Sequence, residues 1–180
     1  MKARTMITIA LLTICVAPAA VGTARKGGGK MEELKIASPA FADRGNIPAK
    51  YTCDGSDVNP PLTIQNVPAG TKSLALIMDD PDAPSGMWVH WLVWNINPAT
   101  REIAENTVSR ESISGKNDWH RNSYGGPCPP SGTHRYFIKL YALDATLALS
   151  GASTKSDLEK AMEGHILAEA QLLGLYKKRH

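Results

Sequence analysis

The chain has 180 residues, 43% of them hydrophobic and 21% charged, and this composition excludes a disordered, collagen-like or coiled-coil protein. The length predicts one domain with its own core rather than two. The formal net charge is only +3, and the basic clusters lie at the two ends of the chain, whereas nucleic-acid binding needs a concentrated basic face. We therefore expect no nucleic-acid partner.

Residues 1–24 have the three parts of a secretory signal peptide. Lys2 and Arg4 supply positive charge, Met6 to Val16 is apolar apart from threonines, and the small residues that follow suit cleavage. A permanent membrane anchor is the alternative, but the apolar run of 11 residues is shorter than the ~20 that a spanning helix needs. We expect a secreted or periplasmic protein that meets a membrane only through this segment.

Cleavage would leave Cys53 and Cys128 as the only cysteines. An even pair in an oxidising compartment is a disulfide candidate. Two thiols that lie far apart in the fold would stay free, so the sequence leaves both outcomes open.

Residues 25–33 have the composition of a flexible tether, and residues 34–180 form the predicted domain. Turn-forming proline and glycine residues divide the domain into short predicted strands. The predicted strands are Leu34 to Ala37, Ile47 to Thr52, Leu62 to Val67, Ser73 to Met78, Trp88 to Asn97 and His134 to Leu143. This spacing is typical of an antiparallel β-sandwich, so the predicted fold is mainly β.

The strand that begins at Trp88 is apolar on both faces. Alternation assigns Trp88, His90, Leu92, Trp94 and Ile96 to one face, and Val89, Trp91 and Val93 to the other. Such a strand is covered on both sides, and the absence of proline before Pro98 predicts a central position in its sheet. Residues 99–123 then turn polar and irregular, which is typical of a surface or functional segment.

The last predicted element is a C-terminal α-helix. Ser156 and Glu159 have the spacing of a capping box, which marks a helix start. Apolar residues then follow at helical spacing as far as Tyr176, so we expect one face of this helix to pack on the sandwich. The helix face and the tryptophan-rich strand also offer enough apolar surface to allow a homodimer.

Candidate functional residues begin in the segment from Asp79 to Pro84. Proline fixes the backbone at positions 81 and 84, so the turn is stiff and holds its carboxylates in a defined geometry. Trp88 and His90 follow with a spacing of two, which places both side chains on one face of a strand.

The third segment is the rigid loop from Tyr124 to Thr133, which leads into a strand carrying His134 and Tyr136 on one face. If both strands turn these faces inward at one end, four side chains converge: Asp80, His90, His134 and Tyr136. The alternative is that each histidine is a hydrogen-bonded core residue. Two histidines beside constrained loops favour a site.

Three motifs resemble those of one known family: Asp80-Pro81-Asp82-Ala83-Pro84, Trp88-Val89-His90-Trp91, and Gly126-Pro127-Cys128-Pro129-Pro130-Ser131-Gly132-Thr133-His134-Arg135-Tyr136. The chain resembles the phosphatidylethanolamine-binding protein family, also called Raf kinase inhibitor proteins, and most closely its bacterial and archaeal branch. The resemblance covers residues 35–176 and implies an antiparallel β-sandwich with a C-terminal helix and a small anion pocket. Carried over by motif position, the ligand-binding residues are Asp80, Pro84, Trp88, His90, Gly126, His134 and Tyr136.

The chemistry of these residues suits phosphate or a phosphoethanolamine-like ligand. Protonated histidine and the Tyr136 hydroxyl donate hydrogen bonds, and Gly126 leaves its backbone N–H open to a ligand. Asp80 can hold a histidine in its charged form, or accept from a protonated phosphate or an ammonium group. We expect affinity to rise as the histidines protonate between pH 8 and pH 5.

Other function classes have weaker support. The common hydrolase, P-loop and dinucleotide motifs do not occur, which argues against an enzyme and against a cofactor. A metal-dependent enzyme could use Asp80, His90 and His134 as two histidines and one carboxylate. An inhibitor or partner of a protease or signalling enzyme could bind through residues 99–123 or the pocket rim.

Overall fold

β-Strands dominate the computed structural model, which describes residues 33–178. The predicted signal peptide, residues 1–24, lies outside the described residues, as does the predicted tether except for Glu33. Between residues 33 and 178 the strands are β1 (Lys35–Ala37), β2 (Gly45–Asn46), β3 (Leu62–Gln65), β4 (Ser73–Asp80), β5 (Trp88–Ile96), β6 (Glu102–Ile103), β7 (Ile113–Ser114), β8 (Thr133–Leu143) and β9 (Ile166–Lys177). The same range holds the helix α1 (Lys155–Met162) and a 3-10 turn, η1 (Ala49–Tyr51).

The strands form two sheets, with the orders β1-β3-β6 and β2-β9-β8-β4-β5-β7. All neighbouring strands are antiparallel except β2 and β9, which pair in parallel. Leu62 and Ile64 of the small sheet pack with Leu76 and Met78 of the large sheet in the main core. The mainly β sandwich predicted from the sequence is confirmed.

A second apolar layer covers the other face of the large sheet. Leu158 and Met162 of α1 pack there with Ile77 and Trp94. The expected C-terminal helix on the sandwich is therefore present. No helix within residues 33–178 has the length and apolar character needed to cross a membrane.

The predicted extent of the C-terminal helix is wrong. The helix begins two residues earlier than expected, because Thr154 is its N-cap and forms a capping box with Asp157. It ends at Met162, and the chain changes direction at Gly164, which adopts a positive φ of 77°. The following residues form β9, which pairs along the whole of β8. Pairing with β8 satisfies the backbone of this segment, and tertiary context thus overrides its helical spacing.

A smaller correction concerns the strand predicted from Ile47 to Thr52. Residues Ala49–Tyr51 form η1 instead, directly after Pro48. Only the preceding residues Gly45–Asn46 pair as a strand, with β9. The buried Tyr51 packs into the core from this turn rather than from a sheet.

Two irregularities in the pairing of β4 with β5 change which residues share a face. Asp79 pairs with Val89 and Met78 with Trp91, which leaves His90 as the extra residue of a bulge. A second shift follows near Asn95, whose φ is +55°. As a result Trp91, Val93 and Ile96 lie in the core between the sheets, whereas Val89, Leu92 and Trp94 lie under α1. The predicted strict alternation is wrong because each bulge shifts the parity by one residue.

The prediction that β5 is covered on both faces is confirmed, and β5 has a neighbouring strand on each side, although it is the last long strand before the edge of the sheet. Its outer neighbour β7 pairs with it only at Val93 and Trp94. Toward the start of β5, irregular chain takes the place of a neighbouring strand. Asp118 donates its N–H to the Val89 carbonyl at 3.1 Å, and Gly125 donates to the His90 carbonyl at 3.0 Å.

Candidate ligand pocket

A cavity of about 270 Å³ opens at one end of the main core, where β4 ends and β5 and β8 begin. Its wall consists of Asp80, Ala83, Pro84, Ser85, Trp88, His90, Trp119, Cys128, Pro129, Pro130 and His134. Five of the seven predicted ligand-binding residues thus lie on one wall. Tyr136 and Gly126 do not line the cavity.

The centre of the wall is a hydrogen-bonded pair of nearly buried side chains, His134 and Asp80. Nδ1 of His134 donates to Oδ2 of Asp80 at 2.8 Å, and the other oxygen of Asp80 accepts from the N–H of Asp82 at 2.8 Å. The Asp82 carboxylate in turn accepts two hydrogen bonds from the Arg135 guanidinium, at 2.7 and 2.9 Å. These bonds lower the pKa of Asp82. The proline-containing turn is therefore anchored to the start of β8, which holds Asp80 against His134.

His90 has a defined tautomer. Its Nδ1 lies 2.7 Å from the carbonyl oxygen of Gly125. Because a carbonyl only accepts, Nδ1 carries the proton and Nε2 presents a lone pair. Burial lowers the pKa of His90, which works against the protonation that we expected for this histidine and favours the neutral ring at neutral pH.

Tyr136 lies behind the two histidines rather than on the cavity wall. Its ring contacts His90 edge-on, with centroids 5.1 Å apart, and stacks with His134 at 6.5 Å. The side chain is fully buried, and burial, together with the Asp80 carboxylate, raises the pKa of its hydroxyl. Its position supports the orientation of both imidazole rings.

Gly126 has a structural environment that differs from the expected one. Its N–H donates to Oδ1 of Asp57 at 2.6 Å, so this donor is already engaged. A Cβ at this position would lie 2.6 Å from the Tyr51 carbonyl oxygen and 2.8 Å from Cα of Thr52. Glycine is needed here because two backbones approach each other closely.

Replacing Gly126 by alanine is expected to lower the free energy of unfolding by about 1–3 kcal/mol, because backbone atoms must move to admit the Cβ. Chemical denaturation of the domain measures this loss. Gly151→Ala is the control, since its added Cβ would meet nothing closer than Asn122 Nδ2 at 3.2 Å. A Gly126→Ala protein as stable as the parent would contradict the structural role.

Trp119 forms one side of the cavity and was not among the site residues predicted from the sequence. Its ring makes edge contacts with Trp88 at 5.3 Å and with His90 at 5.0 Å. The buried side chain of Asn117 holds this segment in place, since it accepts from the N–H groups of Trp119 and Arg121 and donates to the His90 carbonyl. A tryptophan within a polar, irregular segment was the available signal.

A disulfide joins Cys53 to Cys128, with 5.4 Å between the two Cα atoms. Cys128 lies on the cavity wall, and Cys53 follows η1. The N–H of Cys53 also donates to the Pro127 carbonyl at 3.1 Å. The disulfide therefore ties one wall of the pocket to the body of the domain.

The cluster of Asp80, His90 and His134 does not form a metal site. Among residues 33–178, no group of three or more His, Cys, Asp or Glu side chains is arranged to hold a metal ion. Both histidines use Nδ1 within the protein, His134 toward Asp80 and His90 toward a carbonyl.

The fold and this pocket define a class of small β-sandwich proteins with a polar cavity at one end. Residues 37–177 match the phosphatidylethanolamine-binding protein family, and the chain belongs to that family. The membership confirms the resemblance seen in the motifs.

Relatives occur in archaea and bacteria. A UPF0098 protein of Methanothermobacter thermautotrophicus is 50% identical over 150 residues, covering 81% of this chain and 99% of the relative. A solved structure of a phosphatidylethanolamine-binding protein homologue from Chlamydia trachomatis is 40% identical, with a TM-score of 0.79, covering 82% of this chain and 99% of that one. Escherichia coli YbcL, described as a new member of the mammalian family, is 26% identical, with a TM-score of 0.77, and the match covers 82% of this chain and 100% of YbcL.

Proposed function

We propose that the chain is an exported protein that binds a small phosphorylated or other anionic ligand in this pocket and does not alter it chemically. The observation that carries the proposal is the His134–Asp80 pair, 2.8 Å apart on the wall of a cavity beside a second histidine. A buried, paired histidine can donate its remaining N–H to an oxyanion.

The size and lining of the cavity support a small ligand. At about 270 Å³ it lies at the lower limit of ordinary ligand pockets, so a head group fits and a whole lipid does not. The walls combine apolar surfaces from Pro84 and Trp88 with the polar groups of Ser85 and His134. This combination orients a small polar molecule and shields it from water.

The surroundings of His134 support binding rather than catalysis. An Asp–His pair acts in nucleophilic catalysis when a hydroxyl or thiol is hydrogen-bonded to the histidine. Among the residues that the structure describes, no such side chain hydrogen-bonds to His134.

The Cys53–Cys128 disulfide supports the proposal that the protein is exported, because disulfides persist in oxidising compartments.

Calorimetric titration of the domain with phosphate and with phosphoethanolamine, at pH 6 and pH 8, tests the proposal. We expect binding that is stronger at pH 6 and that is lost in His134→Ala. The matched control is His165→Ala, because His165 forms a pair of the same 2.8 Å length with Asp144 on the exposed surface. Binding should survive in that control.

Two results would overturn the proposal. One is the absence of binding of either compound by the parent protein at both pH values. The other is equal loss of affinity in the two histidine variants, which would place the ligand outside the cavity.

A further inference from the structure

The wall of the cavity presents a hydrogen-bond acceptor that an anion alone cannot use. With Nδ1 of His90 bonded to the Gly125 carbonyl, Nε2 is the remaining polar atom of the ring. Nε2 has no hydrogen-bond partner among the described residues. It is not among the fully buried unpaired atoms, and its ring lines the cavity. A bound ligand must therefore face a lone pair at this point.

The rest of the wall does not supply the positive charge typical of sites for fully ionised oxyanions. No lysine or arginine lies among the described residues that line the cavity, whereas the Asp80 carboxylate does. The nearby guanidinium of Arg135 is bonded to Asp82, and that of Arg121 lies over the Trp119 ring at 5.6 Å. An oxyanion that carries only acceptors could accept a hydrogen bond from His134, but it would leave the lone pair of His90 unpaired and would lie near the negative charge of Asp80.

We propose that the pocket selects a singly protonated phosphoryl group, whose P–O–H donates to Nε2 of His90, over oxyanions of the same shape and charge that have no proton to donate. This inference rests on the proposed function and defines its ligand class more closely. A site that requires a donor from the ligand rejects analogues without one, because its buried acceptor is then left unpaired.

Several ionisable groups of the protein surround His90 and influence any pH dependence. Asp79 and Asp80 come from β4, Asp118 from the segment beside β5, and His134 and Tyr136 from β8. A change in their charge with pH alters the affinity for every bound anion. A test must therefore separate the proton of the ligand from the protons of the protein.

Methyl phosphate and methyl sulfate provide that separation. Both have the same shape and, as monoanions, the same charge, but only methyl phosphate has a proton to donate. Phosphomonoesters lose this proton with a pKa of about 6, so the monoanion falls ~75-fold between pH 5.5 and pH 8. Methyl sulfate stays a monoanion throughout and reports the protein's own titration.

In calorimetry at pH 5.5 we expect methyl phosphate to bind at least ~10-fold more tightly than methyl sulfate, because methyl sulfate leaves the Nε2 acceptor of His90 unpaired. The affinity for methyl phosphate should then fall with rising pH more steeply than that for methyl sulfate, by up to ~75-fold. Equal affinities at pH 5.5, or parallel pH profiles, would overturn this inference and leave the proposed function standing. Absence of binding by both, and by phosphoethanolamine, would overturn the two together.

Nitrogen NMR of the imidazole rings is an independent measurement on the unmodified protein. We expect Nε2 of His90 to be unprotonated in the free protein at pH 6, and to accept a hydrogen bond when methyl phosphate is added. A proton on Nε2 in the free protein would overturn the inference, whatever the affinities.

Discussion

Removing the disulfide, by replacing Cys53 and Cys128 with serine, is expected to lower the free energy of unfolding by about 4 kcal/mol. The two cysteines are separated by 75 residues, and a cross-link that closes so long a loop strongly reduces the conformational entropy of the unfolded chain. Urea denaturation of the oxidised protein and of the double variant measures the difference. Because Cys128 lies on the cavity wall, we also expect weaker binding of phosphoethanolamine by the variant.

Denaturation of the parent protein after chemical reduction is the matched comparison, since it breaks the same bond without changing any side chain to serine. Reduced parent and double variant should unfold at the same urea concentration. A double variant as stable as the oxidised parent would show that the bond contributes nothing to stability.

Replacing Lys139 by methionine is expected to destabilise the domain by about 3 kcal/mol, because it leaves a buried carboxylate without its main partner. The Asp79 side chain is 0% exposed, and its Oδ2 accepts from Nζ of Lys139 at 2.8 Å. Lys155, on α1, is farther away at 3.7 Å. Chemical denaturation at pH 7 measures the loss.

Two further variants show whether burial is the cause. Lys50→Met removes one partner of an exposed pair with Glu105, and exposed pairs contribute little, so its stability should hardly change. Asp79→Leu combined with Lys139→Met removes both charges, and we expect it to recover most of the loss. Equal destabilisation by Lys139→Met and Lys50→Met would contradict the argument.

The position of the candidate pocket could be predicted from short-range patterns. Proline fixes the turn that carries Asp80, and a spacing of two residues joins His134 to Tyr136 on one strand face. Both constraints act within a few residues of the chain. The structure accordingly brings Asp80 and His134 together and places Pro84 and Trp88 on the same wall.

Features that depend on distant parts of the chain were not predictable in this way. Nothing local to Gly126 shows that its N–H is taken by Asp57, 69 residues earlier. Likewise, Trp119 reaches the cavity only because its segment runs along the edge of β5, where Asn117 holds it to the His90 carbonyl.

The sequence by itself determined the mainly β class, which follows from short strands between proline- and glycine-rich turns, the family, which its motifs resemble, and five of the residues that line the pocket. Only the tertiary structure decided that residues 166–177 form a strand, that His90 occupies a bulge, and which of its nitrogens carries a proton. The physical reason is that a strand and a tautomer depend on hydrogen-bond partners. The partners here, β8 and the Gly125 carbonyl, come from elsewhere in the chain.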